Sequence, residues 1–333
     1  MTDERIAALT AGLREAGTIG ASETIDHVAQ LSGGWSRRSY EANAGDRRFI
    51  VRVKPPGGLL DTDLVAEYAV FDALASEDVA TPAVYFLDPS EDNPFGGQYF
   101  VMERVPGRAA NAFRRGERDW LVRNWEDSRS IARDMASNLA RLHGASAARL
   151  PETIPRRDFL QVVEQWRSVY EEKRLVHDPV SEEAFEWLAS RVPPDTRTGL
   201  VHGDYRVGNA LVEDGRVTAV LDWELAYIGD VRFDVGYLAL ERLAGKHLRP
   251  VSGLLNAFAE PEWFFDEYER LTGQPLDREV VRTFSVLGIM MLLATTYLGI
   301  WMYTNGRTDD FRMAWNRFGA PGLRQDLTHL MDW

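Results

Sequence analysis

Hydrophobic and polar positions follow a short period through the first third of the chain and a longer one after it. The runs SYEAN at 39–43 and RRFIVRV at 47–53 flank the turn residues of 43–46, which predicts a β-hairpin. VYFL at 84–87 and QYFVMER at 98–104 predict two more strands, separated by a Pro/Gly-rich loop at 88–97. Helices are predicted within 1–24 and over 61–75. Beyond Gly107 the period becomes helical. Ile131, Met135, Leu139 and Leu142 share one face, and 164–172 and 182–191 also read as helices. One stretch interrupts this, LVHGDYRVGNALVEDGRVTAVLDWE at 200–224. Its Asp214-Gly215 pair between apolar runs signals a two-residue hairpin turn. That turn sets Glu213 opposite Arg216, Leu211 opposite Thr218 and Asn209 opposite Val220. The expected organisation is a small β-rich lobe over 1–106 and a larger helical lobe over 107–333, the latter carrying the hairpin.

Length supports two lobes, because 333 residues are many for one core. The net charge of −13 argues against a nucleic-acid partner or an anionic membrane surface. No cysteine is present, so disulfides and thiolate metal sites are excluded. The opening residues are charged and lack the apolar core of a signal peptide, so a cytoplasmic protein is expected. The run FSVLGIMMLLATTYLGIWMY at 284–303 has no charge and is long enough to span a bilayer. It is a lone run, and it carries Ser285, Thr295 and Thr296, so it is expected to be a buried helix and no membrane partner is expected. The oligomeric state is not legible.

The hairpin carries the candidate chemistry. Asn209 and Asp222 emerge together at its open end and offer an amide and a carboxylate oxygen, two of the hard ligands a divalent cation takes. Asp204, five residues before Asn209, is then left to act as a base or to orient a nucleophile. The interval matches the kinase catalytic loop H-R-D-x-x-x-x-N, which is followed by a separate metal-binding Asp. Here the loop reads His202-Gly203-Asp204, with Gly for Arg, and Asp222 sits in LDWE rather than D-F-G.

HGDYRVGN followed by LDWE resembles the aminoglycoside phosphotransferase and choline kinase superfamily. In motif form it is nearest the kinase-like domains associated with acyl-CoA dehydrogenases. The later GDVRFDVGYL is similar to that family's GD-x-x-x-D segment. The resemblance implies an α+β, protein-kinase-like bilobal fold. It implies ATP (or GTP) and magnesium as cofactors and a hydroxylated small molecule as acceptor. It makes Asp204 catalytic, Asn209 and Asp222 metal ligands, and His202 and Asp234 structural.

The first lobe should hold the nucleotide. FIVRVK places Arg52 where the kinase lysine stands, with Lys54 as the alternate. Glu67 falls on the apolar face of LVAEYAVFDAL with Leu64, Phe71 and Leu74, and a buried carboxylate needs a partner, for which Arg52 is the candidate. Gly33, Gly34 and Ser36 could cradle phosphates, and Met102, Glu103 and Arg104 resemble the hinge that meets adenine. Trp223, Glu224 and Tyr227 are candidates to line the acceptor cleft. The basic run Arg108, Arg114, Arg115, Arg118 and Arg123 favours an anionic acceptor such as a hydroxyacyl-CoA over a polycationic aminoglycoside. The alternative is a nucleotide-binding pseudokinase with a regulatory role. Peptide kinase activity is not expected, since D-F-G and A-P-E are lacking.

Overall fold

The computed structural model describes residues 2–31, 37–55, 60, 62–244 and 253–332. Gly33, Gly34 and Ser36 lie outside the described residues. The first lobe holds α1 (Thr2–Glu15), β1 (His27–Gln30), β2 (Arg38–Ala44), β3 (Arg47–Val53), α2 (Leu64–Leu74), β4 (Val84–Asp88) and β5 (Tyr99–Glu103). Its sheet is antiparallel, in the order β1-β2-β3-β5-β4. The N-terminal helix is shorter than the pattern implied. It ends at Glu15, and Gly17 follows at φ +67°, a left-handed position that stops a helix.

Strand alternation divides the first core in two. Phe49, Val51 and Val53 of β3 join Leu9 and Leu13 of α1 on the outer face. Ile50 joins Phe71 and Leu74 of α2 on the inner face. Arg52 takes the inner parity, towards α2. That same inner core continues into the second lobe through Trp223 and Val220. Asp63 caps α2 by accepting the Val65 N–H at 2.8 Å.

The second lobe contains β6 (Arg108–Ala109), α3 (Arg115–Asp127), α4 (Ser130–Gly144), α5 (Phe159–Lys173), α6 (Pro179–Ala189) and β7 (Thr198–Val201). The hairpin follows as β8 (Ala210–Glu213) and β9 (Arg216–Val220), then β10 (Tyr227–Asp230), α7 (Arg232–Leu238), α8 (Pro261–Thr272), α9 (Arg278–Thr304), α10 (Phe311–Trp315) and α11 (Ala320–Leu330). β10 pairs with β7, and β6 extends the hairpin to three strands.

The apolar run is α9, and 83% of its most apolar window is buried inside the protein. α5, α7 and α11 cover it. α7 can cross it closely because residue 236 is glycine. A Cβ there would lie 2.5 Å from the Phe284 Cβ and 2.8 Å from its carbonyl carbon. Ser285 closes the crossing by donating to the Gly236 carbonyl at 2.7 Å.

Candidate active site

The loop after β7 is fixed from behind by Asp234 of α7. Its two oxygens accept the N–H of His202 at 2.7 Å and of Gly203 at 2.9 Å. His143 of α4 lies 3.1 Å from the same carboxylate through Nε2, and its Nδ1 is 2.7 Å from the Tyr268 hydroxyl. Asp234 itself is wholly buried. Gly203 sits at φ +85°, and a Cβ there would meet the Leu225 carbonyl oxygen at 2.6 Å, so the turn requires glycine. His202 accepts the Asp204 N–H on Nδ1 at 3.1 Å and reaches the Leu221 carbonyl with Nε2 at 3.0 Å. A carbonyl only accepts, so Nε2 carries the proton and both ring nitrogens are engaged in holding the loop.

This places Asp204 under two donors. Arg206 Nε lies 3.0 and 3.1 Å from its two oxygens, and Asn209 Nδ2 donates to Oδ2 at 2.7 Å. Tyr237 lines the same cavity beside the carboxylate, and burial together with that charge raises its hydroxyl well above the ordinary value. Asn209 Nδ2 donates to the Asp204 carbonyl as well, at 2.9 Å. Both partners are acceptors, so the amide orientation is forced and Oδ1 faces elsewhere.

The hairpin register differs from the expected one. The Asp214-Gly215 turn is present, with both residues at positive φ, and Glu213 faces Arg216. Beyond it a bulge intervenes, so Leu211 faces Ala219 and Ala210 faces Val220. Thr218 is the extra residue, drawn out by its hydroxyl bonds to the Pro106 and Leu211 carbonyls at 2.7 and 3.3 Å. Asn209 is thereby carried one position further, and its carbonyl accepts the Leu221 N–H at 2.7 Å, next to Asp222. Asp222 stands at φ 71°, ψ 57°, a left-handed conformation rare for a non-glycine residue.

Arg52 reaches across the cleft to Asp222 and also contacts Glu67, at 2.5 Å from Nε to Oε1. Burial works to raise the Asp222 carboxyl, but the Arg52 charge outweighs it and holds the group below its ordinary value. Glu67 is fully buried, and Arg37 donates to its other oxygen at 3.2 Å. Arg37 also lies 3.7 Å from Glu224. The cluster therefore holds three carboxylates, Glu67, Asp222 and Glu224, against two guanidinium groups. Burial and the neighbouring Asp222 charge push the Glu224 carboxyl up to about 7.

The sign of that shift gives a prediction. A carboxyl raised in the folded state favours folding below its ordinary value of 4.5, and this contribution is lost as pH rises through about 7. In magnesium-free buffer the protein is expected to lose up to about 3 kcal/mol between those limits. Glu224→Gln should flatten that slope in denaturant melts, and an unchanged slope would contradict the assignment.

Two cavities meet at this cluster. One, of about 470 Å³, lies between the sheet and the hairpin, with Ile50, Arg52, Met102, Val105, Leu221 and Asp222 among its walls. Glu103 and Arg104 border it too. Their N–H groups are engaged by the Ala83 and Arg48 carbonyls at 2.8 and 3.4 Å. Val105 N–H, just beyond the expected hinge residues, has no partner among the described residues. The other cavity, of about 220 Å³, opens at Asp204, Arg206, Glu224 and Tyr237 and is otherwise walled largely by α9 and apolar side chains.

Glu224 lines the cavity at Asp204, whereas Trp223 and Tyr227 do not. Trp223 is core, packed at a tilt against the His202 ring with centroids 4.4 Å apart and donating to the Val220 carbonyl at 3.2 Å. Tyr227 points into a neighbouring cavity. The basic run also falls short of the cavity at Asp204. Arg114 and Arg115 are exposed at α3, Arg118 is buried against the Ala112 carbonyl, and Arg108 borders the larger cavity. Arg37, Arg206, Tyr237 and His143 were not anticipated. Arg206 lies within the loop motif, two residues from Asp204, and was the one with a local signal.

The donor set suits the expected group. Asn209 Oδ1 and the Asp222 carboxylate are hard oxygens beside a cation that can take phosphate charge. The family model for the phosphotransferase enzyme family matches residues 27–277. The chain belongs to that family. Members of this phosphotransferase family include small-molecule kinases acting on hydroxyl groups. Mouse acyl-CoA dehydrogenase family member 10 is 33% identical over 223 residues, which is 64% of this chain and 20% of that protein. The chain thus spans about a fifth of that relative's length. Among solved structures, a Ralstonia eutropha protein provisionally assigned as an aminoglycoside phosphotransferase superposes with a TM-score of 0.76. It is 22% identical, and 98% of each chain is covered. A thermostable mutant of aminoglycoside phosphotransferase APH(4)-Ia, in a ternary complex with AMP-PNP and hygromycin B, gives 0.59 at 18% identity, covering 96% of this chain and 98% of that one. These likenesses show the protein-kinase-like fold.

Proposed function

We propose that this phosphotransferase moves the γ-phosphate of ATP (or GTP) to a hydroxyl of a small molecule in a magnesium-dependent reaction. The observation that carries this reading is the meeting of Asp204, Asn209 and Asp222 between the two cavities, with Arg52 facing them from the sheet. The larger cavity takes the nucleotide. Its base lies by Met102–Val105, and its phosphates lie by Arg52, with Gly33, Gly34 and Ser36 as further candidates. Asn209 Oδ1 and Asp222 would hold magnesium, which supplies positive charge to the phosphates.

The acceptor occupies the cavity at Asp204. There its hydroxyl donates to the Asp204 carboxylate, which takes the proton as the new O–P bond forms and the γ-phosphorus parts from the β-phosphate oxygen, leaving the nucleoside diphosphate. Arg206 and Asn209 fix that carboxylate in place, so positioning supplies much of the acceleration. His202 has no nitrogen to spare and keeps the loop in shape. Leu225, Leu243, Met291, Leu292 and Leu323 make much of the acceptor wall apolar. That wall suits a hydroxyacyl-CoA or another partly apolar metabolite better than a polycationic aminoglycoside.

Magnesium titrations with a fluorescent ATP analogue test the metal assignment. In the parent chain, affinity should rise with magnesium. In Asp222→Asn that rise should shrink by about tenfold or more, one charge-assisted contact being worth that much. An undiminished magnesium effect in the variant would remove Asp222 from the metal site.

A further inference from the structure

A third cavity, of about 190 Å³, adjoins the one at Asp204 and shares Glu224, Leu225 and Met291 with it as a common wall. It lies between the start of α2, α5 and β10. Among the polar side chains that line it are Arg157, Gln165, Trp166 and Tyr227. Among the described residues, none of the four has a side-chain hydrogen bond or an ion pair. Arg157 lies beside β10, held by its N–H to the Ile228 carbonyl at 2.9 Å. Its guanidinium packs over the Tyr227 ring at 5.9 Å but meets no carboxylate. Trp166 and Tyr227 are 4% and 5% exposed.

All four can donate, and three of them, Arg157, Trp166 and Tyr227, mainly do so. Donors left without a partner on a cavity wall make a site for an acceptor from outside. The acids at its edge do not fill that role. Glu67 is held by Arg37 and Arg52, Asp63 caps α2, and Glu224 lies 3.7 Å from Arg37.

Building on the phosphotransferase reading above, we propose that this cavity binds a carboxylate or phosphate group through Arg157, Trp166 and Tyr227, so that an acceptor reacting at Asp204 carries an anion past Leu225. Arg157 then determines which acceptors are used, and it takes no part in the chemistry. A polycationic acceptor would place charge of the wrong sign there.

The test uses the full chain labelled with ¹⁵N-tryptophan, without nucleotide. The Trp166 indole resonance is assigned from Trp166→Phe. Inorganic phosphate and a series of short hydroxycarboxylates are titrated in, with the uncharged methyl esters as controls. The expected result is a saturable shift of the Trp166 resonance with the anions and none with the esters. Arg157→Gln should weaken it about tenfold or more, and Arg157→Lys should restore part of the affinity. A shift by hydroxycarboxylates would identify the acceptor's own anion as the ligand, and a shift by phosphate alone would identify a phosphate group. No shift with any anion, or an equal shift in Arg157→Gln, would overturn the proposal. The readout needs neither nucleotide nor turnover, so its failure is distinct from failure of the kinase reading, which ATP consumption reports separately.

Discussion

Asp204→Ala is expected to reduce phosphoryl transfer by about 10²–10⁴-fold, the range ordinarily lost with a positioned general base. Nucleotide affinity should change little, because Asp204 lines the acceptor cavity and the nucleotide cavity is bordered by Asp222. The substitution also releases Arg206 and Asn209 from their shared carboxylate. Asp204→Asn keeps the side chain's volume and one acceptor, and it serves as the control for local rearrangement. Turnover under saturating nucleotide, with binding of a fluorescent analogue measured in parallel, separates the two effects. Near-native turnover in both variants would remove Asp204 from the chemistry. Equal losses of turnover and of binding would show that the loop had collapsed.

Glu67→Ala carries the largest expected stability cost. Glu67 is 1% exposed and answers two guanidinium groups, Arg37 and Arg52. Removing it leaves two buried cations with only Glu224 and Asp222 opposite them. Breaking a buried pair by removing one partner costs about 3–5 kcal/mol. The denaturant midpoint should fall accordingly, and nucleotide binding should weaken because Arg52 loses its support. Glu67→Gln keeps the shape and should lose somewhat less, through the charge alone. A loss below about 1 kcal/mol in both variants would mean that Asp222 and Glu224 suffice as counter-charges.

Much of this site could be read along the chain, because its signals are local. Asp214-Gly215 marked the turn, the Asp204–Asn209 interval marked the loop, and the apolar stripe of α2 exposed Glu67 as an acid needing a partner. Apart from Arg206, what escaped notice depends on long-range contacts. Arg37 meets Glu67 across 30 positions, and Asp234 gathers His143 from 91 positions away. Tyr237 comes to the Asp204 cavity from α7, the helix that also carries Asp234. The hairpin register slipped because a bulge leaves no mark in a period-two pattern; only the Thr218 hydroxyl, bonding a carbonyl more than a hundred positions back, decides it. Trp223 and Glu224 are neighbours with opposite fates, since a single 3₁₀ turn sends one ring into the core and one carboxylate towards the cavities. The long apolar run, ambiguous in composition, is explained by the helices that cover it and by the close crossing at Gly236.

The most direct test is transfer of radiolabelled γ-phosphate from ATP, with and without magnesium, to a panel of hydroxylated small molecules. The panel would contain hydroxyacyl-CoA thioesters, simple sugars, choline, macrolides and aminoglycosides, with Asp204→Ala alongside. Magnesium-dependent labelling of at least one acceptor, lost in the variant, is the predicted result. Labelling that persists in Asp204→Ala, or a chain that binds no nucleotide with magnesium present, would contradict the account.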